Sequence, residues 1–389
     1  MMPQSTYLRT FVVSASVFLF SILPCSASSN QRYLFTNNDY SQGNSSTVYV
    51  IGAQGGLKKK AVVVTHGIGF DGLGSVSTQR ILVSHDKHGD CAYLSEDRSI
   101  GGHAHPAVTT ISVANLRIVG SFTGSPTDQV YTLGMGLAMN PSYIYADFSG
   151  SQTIGTYKRL PGCKLKFIRS IPAVGLNQGV VEGMKARNHV LVVNYSDGSI
   201  QSFDISNGVP ASNNDLQYST GYTNYGDVPA SVDLSSDAHY AVFGDSGGLV
   251  EVSDISSGKL AATIPYQGLG TSSPLGFVYL SPDEKLLYIS NFSTSQISAA
   301  WFDRSNGTLA AGCTSAPLKN SNFMAGLALQ KTTGSGSVVY VAEPDRFIGA
   351  VRFTASGSSC SFTELNDSPT YDKRAWTLES IGVFPPRRF

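Results

Sequence analysis

Seven short apolar runs along the chain each end in a single Asn, Asp or Glu: Tyr33-Leu-Phe-Thr-Asn37, Ala92-Tyr-Leu-Ser-Glu96, Tyr143-Ile-Tyr-Ala-Asp147, Val190-Leu-Val-Val-Asn194, Tyr240-Ala-Val-Phe-Gly-Asp245, Leu287-Tyr-Ile-Ser-Asn291 and Val339-Tyr-Val-Ala-Glu343. Their end points lie 59, 51, 47, 51, 46 and 52 residues apart, on the scale of a repeat architecture. The fifth unit shows the internal order most plainly. Residues 230–235 read as a strand, Ser236-Asp237 as a turn and 240–243 as a second strand; 249–253 follow Gly247-Gly248 as a third, and 260–264 follow Ser257-Gly258 as a fourth. The sixth unit repeats this over 276–280, 286–290, 297–302 and 309–312, with turns at Pro282-Asp283 and Asn306-Gly307.

Four short antiparallel strands with tight turns make one propeller blade. No segment sustains a helical period free of Gly, Pro and β-branched residues. The expected fold is therefore all-β, a seven-bladed β-propeller of four-stranded antiparallel blades. Measured back from Asn37, the innermost strand of the first unit would fall at 21–25, inside a segment of another kind. The spare stretch 378–384 at the other end is expected to fill that vacancy, closing the ring with the C-terminal strand and leaving no open seam.

That N-terminal segment reads as an address. Arg9 precedes an apolar run over 11–23, too short to span a bilayer, and Cys25-Ser-Ala27 supplies small residues for cleavage. Residues 1–27 are thus expected to be a cleavable signal peptide, residues 28–389 a single propeller domain, and the protein secreted or periplasmic. Composition supports that setting. Charged residues make up 14% of the chain, with 27 basic against 27 acidic, so no basic surface is present for nucleic acid. Removing Arg9 changes the balance to 26 − 27, or −1. The four remaining cysteines, Cys91, Cys163, Cys313 and Cys360, predict at least one disulfide in an oxidising compartment. Cys313 and Cys360, at what read as equivalent places at the start of the fourth strand in successive units, are the candidate pair, provided that neighbouring blades bring them within the Cα separation of about 7 Å that a bridge tolerates. Asn-x-Ser/Thr sites occur at Asn44, Asn194, Asn291, Asn306 and Asn366.

The passages Ser281-Pro-Asp-Glu-Lys-Leu-Leu-Tyr-Ile-Ser-Asn291, Phe302-Asp-Arg-Ser-Asn-Gly-Thr-Leu309 and Ser380-Ile-Gly-Val-Phe-Pro-Pro386 resemble the seven-bladed lactonase family, phosphogluconolactonase-like propellers included, and the related surface propellers with Tyr-Val-Thr-Asn (YVTN) repeats. The resemblance implies the propeller fold and, for the enzymes of the family, lactone hydrolysis. Those enzymes carry a His beside Pro at the start of an inner strand, with Arg and Glu facing the central pocket. Here Pro229-Ala-Ser-Val232 has Ser231 in that place and no His.

Three motifs invite a chemical reading. Gly244-Asp-Ser-Gly-Gly248 imitates a nucleophile elbow, but an elbow needs a helix after the Ser, and 249–252 reads as a strand. Gly67-Ile-Gly-Phe-Asp-Gly72 imitates a dinucleotide fingerprint, but Leu73-Gly-Ser-Val-Ser-Thr is no helix start. His103-Ala-His105 would project from one face of a strand; without a nameable third ligand it reads as a solvated loop pair, and His66 as a packed or capping side chain.

The polar ends of the second strands are the broader signal. In a propeller they emerge on one face, so Asn37, Glu96, Asp147, Asn194, Asp245, Asn291 and Glu343 are expected to ring that face, with Asp345 and Arg346 beside Glu343 and with His103 and His105 reaching in from the second unit. These residues are the ligand-binding candidates, no catalytic residue being assignable, with polar turn chemistry as the plain alternative. The expectation is a monomeric binding or scaffold propeller for a small molecule, glycan or protein, without cofactor, metal or nucleic acid. A lactonase-type hydrolase of a sugar lactone or similar cyclic ester is the alternative.

Overall fold

Second strands such as Leu286–Asn291 read as unbroken apolar runs because a blade buries both of its faces, one against each neighbour. The computed structural model describes residues 31–70, 79–100, 103–130, 135–212, 218–219, 229–245, 249–255, 259–265, 277–291, 294–321, 324, 326–331, 336–378 and 380–386. Among these residues the strands form seven antiparallel sheets and no helix. The expected signal segment, 1–27, lies outside them.

Blade two runs Ile81–Asp86, Gly89–Ile100, His103–Ser112 and Arg117–Thr123 from axis to rim. Blade three is Leu137–Met139, Tyr143–Phe148, Thr153–Leu160 and Lys164–Pro172, and blade four is Val181–Arg187, Val190–Tyr195, Ser199–Asp204 and Ala211–Ser212, with Tyr218–Ser219 also pairing its third strand. Blade five (Pro229–Leu234, Tyr240–Asp245, Leu249–Asp254, Lys259–Pro265) and blade six (Val278–Leu280, Leu286–Asn291, Gln296–Asp303, Thr308–Thr314) follow the strand order expected from sequence. Blade seven is Leu327–Lys331, Ser337–Glu343, Phe347–Ser356 and Ser359–Glu364, with Thr370–Tyr371 added to its third strand.

Blade one takes its inner strand from the other end of the chain. Ile381–Phe384 pairs with Tyr33–Thr36 in the register Tyr33↔Phe384 to Thr36↔Ile381, and Ser45–Ile51 and Leu57–Val64 complete the sheet. The closing strand thus begins at Ile381 rather than at residue 378. Ser380 is occupied in joining blades: its hydroxyl accepts the N–H groups of Arg80 (3.1 Å) and Ile81 (3.3 Å) at the start of blade two.

The core is a ring of seams. Leu34 packs with Tyr340 and Ile348 of blade seven, whereas its neighbour Phe35 packs with Ile81 and Leu94 of blade two. The rim is different. Ser359–Glu364 alternates exposed and half-buried positions and is paired along one edge only, with Phe347–Ser356.

Two disulfides cross seams. Cys91 of blade two meets Cys163 in the outer turn of blade three (Cα–Cα 5.6 Å), and Cys313 meets Cys360 between blades six and seven (5.7 Å). The second pair is the one the sequence offered, and register brings it within reach. Cys313 is next to last in its outer strand and Cys360 second in its own, so the end of one strand meets the start of the next. Of the glycosylation sequences, Asn44, Asn194 and Asn291 are buried, and Asn306 and Asn366 are exposed.

Candidate functional site

The polar strand ends lie inside the seams and not on an open mouth. Asn37, Glu96, Asp147, Asn194, Asn291 and Glu343 are all buried. Asp245 ends its strand, but its side chain lies outside the described residues, as does that of His103. Side-chain parity decides which seam each enters: Asn37 lies on the Phe35 side, toward blade two, whereas Glu96 lies on the Leu94 side, toward blade one. Asn37 donates to Ser95 O (3.0 Å) and accepts from Asn44 (2.9 Å); Glu96 accepts from Thr65 (2.5 Å), from Thr109 and from Arg98 (3.1 Å). Nearby, Asp39 and Arg80 form a fully buried ion pair. Asn291 donates to Gln296 O and Ser298 Oγ, both at 3.0 Å.

Two of the buried acids have their carboxyls raised above the ordinary carboxylate value. Burial pushes Glu343 up to about 8, helped by Glu364 and Asp345. Burial, then Glu182, holds Asp147 well above the usual carboxylate range. Asp345 is exposed and Arg346 half-buried beyond Pro344, so Glu343 does not share their surface.

The central channel offers little room. Its two cavities measure ≈ 70 and ≈ 30 Å³, lined chiefly by Leu82, Met139, Leu327, Leu329, Ile381 and Val383. Sites for small molecules measure roughly 300–1,000 Å³. Two cations of the inner strands are engaged: Lys185 with Asp233 (3.0 Å) and Arg187 with Glu284 (3.3 Å). Ser231, in the place of the family's His, accepts the Val278 N–H (2.8 Å) and ties blade five to blade six.

A larger cleft, ≈ 430 Å³, opens between the loops of blades two and three. The hairpin of blade two builds one wall, because Gly89–Ile100 and His103–Ser112 keep pairing past Glu96 to Ile100↔His103. A two-way bridge between Ile68 and Asp97, both hydrogen bonds 2.8 Å, pins the hairpin to blade one. Residues 126–130 build the other wall. Asp128 holds that loop from beneath, accepting from Ser125 N (2.6 Å), Ser170 Oγ (2.8 Å) and Thr153 Oγ1 (3.3 Å). Gly124 is required there: a Cβ would lie 2.6 Å from Asp128 Oδ2 and 2.8 Å from the Phe148 ring.

The chemistry exposed to the cleft comes from Asp97, His105 and Gln129, with Ala104, Pro126 and Val130 as apolar lining. One oxygen of Asp97 is buried without a hydrogen-bond partner among the described residues. Burial, and then the neighbouring Glu96, raises its carboxyl to about 6. Of the sequence candidates the cleft takes only His105. Asp97, Asp128 and Gln129 were missed, and the signal for them is that the Gly101-Gly102 pair stands five residues beyond Glu96 rather than directly after it.

The other motifs resolve simply. Leu249–Asp254 is a strand, so no elbow helix follows Asp245; Ser246, Gly247 and Gly248 lie outside the described residues. Residues 71–78 of the fingerprint region also lie outside them. His66 is exposed with φ 61°, a turn position.

No family model matches this sequence, and no curated protein matches it. Solved structures do. A 6-phosphogluconolactonase candidate from Bacteroides fragilis aligns with a TM-score of 0.67 at 15% identity, over 92% of this chain and 99% of its own. A second such candidate, from Bacteroides uniformis, aligns at 0.63 and 14% identity, over 91% and 99%. The fold is that of the lactonase-like propellers. Kluyveromyces lactis Hsv2 also aligns, at 0.53 and 11% identity over 88% of this chain and 99% of its own, so the propeller likeness extends to proteins of other names.

Proposed function

We propose that the protein is an exported binding propeller that takes a small polar ligand in the cleft of blade two. The observation that carries this reading is the contrast in room: ≈ 430 Å³ in the cleft, lined by Asp97 and His105, against ≈ 70 Å³ in the channel. The buried, partnerless Asp97 oxygen favours a ligand that donates a hydrogen bond, such as a sugar hydroxyl. Export rests on the N-terminal sequence and is supported by the two disulfides, which suit an oxidising compartment. No described helix is long and apolar enough to cross a membrane.

A thermal-shift screen of sugars and sugar lactones tests the reading. At least one ligand is expected to stabilise the protein, and the D97N/H105A variant to lose that stabilisation while its unliganded Tm changes little, as partly exposed positions near a hairpin end allow. Retention of the full shift by that variant would move the site elsewhere.

Lactone hydrolysis is the second reading, favoured by the Asp97 carboxyl at about 6, which can exchange a proton near neutral pH, and by the neighbours' fold. Asp97 would take a proton from the water that adds to the carbonyl carbon and return it to the departing ring oxygen. Proton release from a sugar lactone, lost in D97N, would place this reading first.

A further inference from the structure

We infer that residues 371–376, with Arg346 and Tyr40, form a second ligand surface, separate from the blade-two cleft, for a chain of acidic sugars carrying uronate carboxylates. Among the described residues, Val64, Ile168 and Leu176 are isolated exposed apolar side chains, whereas Tyr371 (53% exposed) and Trp376 (45%) share one short segment. Tyr40 stacks beside Trp376 (centroids 5.8 Å, interplanar 28°), and the Arg346 guanidinium lies 5.3 Å from the Trp376 ring.

The backbone beneath this surface is held in place. Thr370–Tyr371 pairs with Phe347–Ile348, Asp372 N donates to Arg346 O (2.8 Å), and Trp376 N donates to Asn38 O (2.9 Å). Ala375 and Leu378 are buried anchors, and Asp372 turns inward, where it accepts the Arg374 N–H (3.0 Å). Tyr371, Lys373, Arg374 and Trp376 are what the segment leaves outside. A rigid surface loses little conformational freedom on binding.

Charge selects the partner. The side chains of Lys373 and Arg374 engage no carboxylate among the described residues, and Asp345, next to Arg346 in the chain, is an exposed acid. Arg346 against the Trp376 ring, with Lys373 and Arg374 exposed on the same segment, fits an anion that also has a flat apolar side. A pyranose ring presents C–H groups to the negatively polarised face of Trp or Tyr, and its uronate pairs with Arg or Lys. Nucleic acid needs a longer basic groove than three cations supply, in a chain whose net charge is +0.

Calorimetric titration of the full chain with trigalacturonate tests this, with galactotriose as the neutral probe. Trigalacturonate is expected to bind at least about tenfold more tightly than galactotriose, and more weakly as salt rises. W376A, and separately the exposed pair K373E/R374E, should each weaken it at least about tenfold, a loss of about 1.4 kcal/mol. The charge-reversal pair covers the case in which W376A fails to fold. Four results would overturn the inference: no heat with millimolar trigalacturonate, equal affinity for the neutral probe, unchanged affinity in K373E/R374E, or tighter binding of an acidic peptide or oligonucleotide at the same residues.

Discussion

Glu343 shows how a residue of unremarkable sequence context acquires an unusual state. It ends a strand of six buried or half-buried neighbours, and Leu318 and Gly349 close around it, so its carboxyl is held up to about 8. The folded state binds the proton and the unfolded chain releases it near the ordinary value. Stability from this group is therefore complete below about pH 4.5 and is lost as pH rises toward 8, by up to about 1.4 kcal/mol per unit. Between pH 5 and 8, E343Q should lose less stability than the parent, as measured by urea denaturation at each pH. Identical pH slopes in the two proteins would show that Glu343 is ionised in the fold. Asp147, raised for the same reason beside Glu182, adds to the slope of both proteins and leaves the difference to Glu343.

Among the elements, the outer strands are the weak members, exposed along one edge and packed only in part. The disulfides cross seams, Cys91–Cys163 within the buried cluster between blades two and three and Cys313–Cys360 between the half-buried outer strands of blades six and seven. Their sequence separations of 72 and 47 residues place the loop-closure contribution at about 4 kcal/mol each. C313S/C360S is expected to lower stability by about 2–5 kcal/mol in chemical denaturation, with the far-UV spectrum of the sheet retained. A change below about 0.5 kcal/mol would mean that the seam holds without the bridge. The blade-two hairpin is the other informative element. Its length beyond Glu96, and not any special residue, makes the wall of the cleft.

For the whole molecule the decisive contact is between the two ends of the described chain. Leu378, Ile381 and Val383 are buried in the seam between blades seven and one. At roughly 1.5–3 kcal/mol for each fully buried side chain, losing the three costs about 4.5–9 kcal/mol, comparable with the stability of an entire domain. Deletion of residues 377–389 should therefore leave blade one without its inner strand and lower Tm by far more than any single substitution. A truncated protein that melts with the parent would show that the ring does not depend on this closure.

The 51-residue rhythm, the four-strand order of units five and six and the vacancy in the first unit were legible in the sequence, because strand alternation and Gly, Pro, Asn and Asp turns are local properties. From them the all-β class, the blade number and the closing strand could be derived. The site could not. A polar residue at a strand end looks the same whether it meets water or the next blade, and the next blade is about fifty residues away; packing buried Asn37, Glu96 and Glu343 in the seams. The same holds for Asp97, which became a cleft residue because its hairpin continued and Ile68, from another blade, pinned it. Sequence sets which side of a strand each residue occupies, and only the closed ring decides which of those sides still faces solvent.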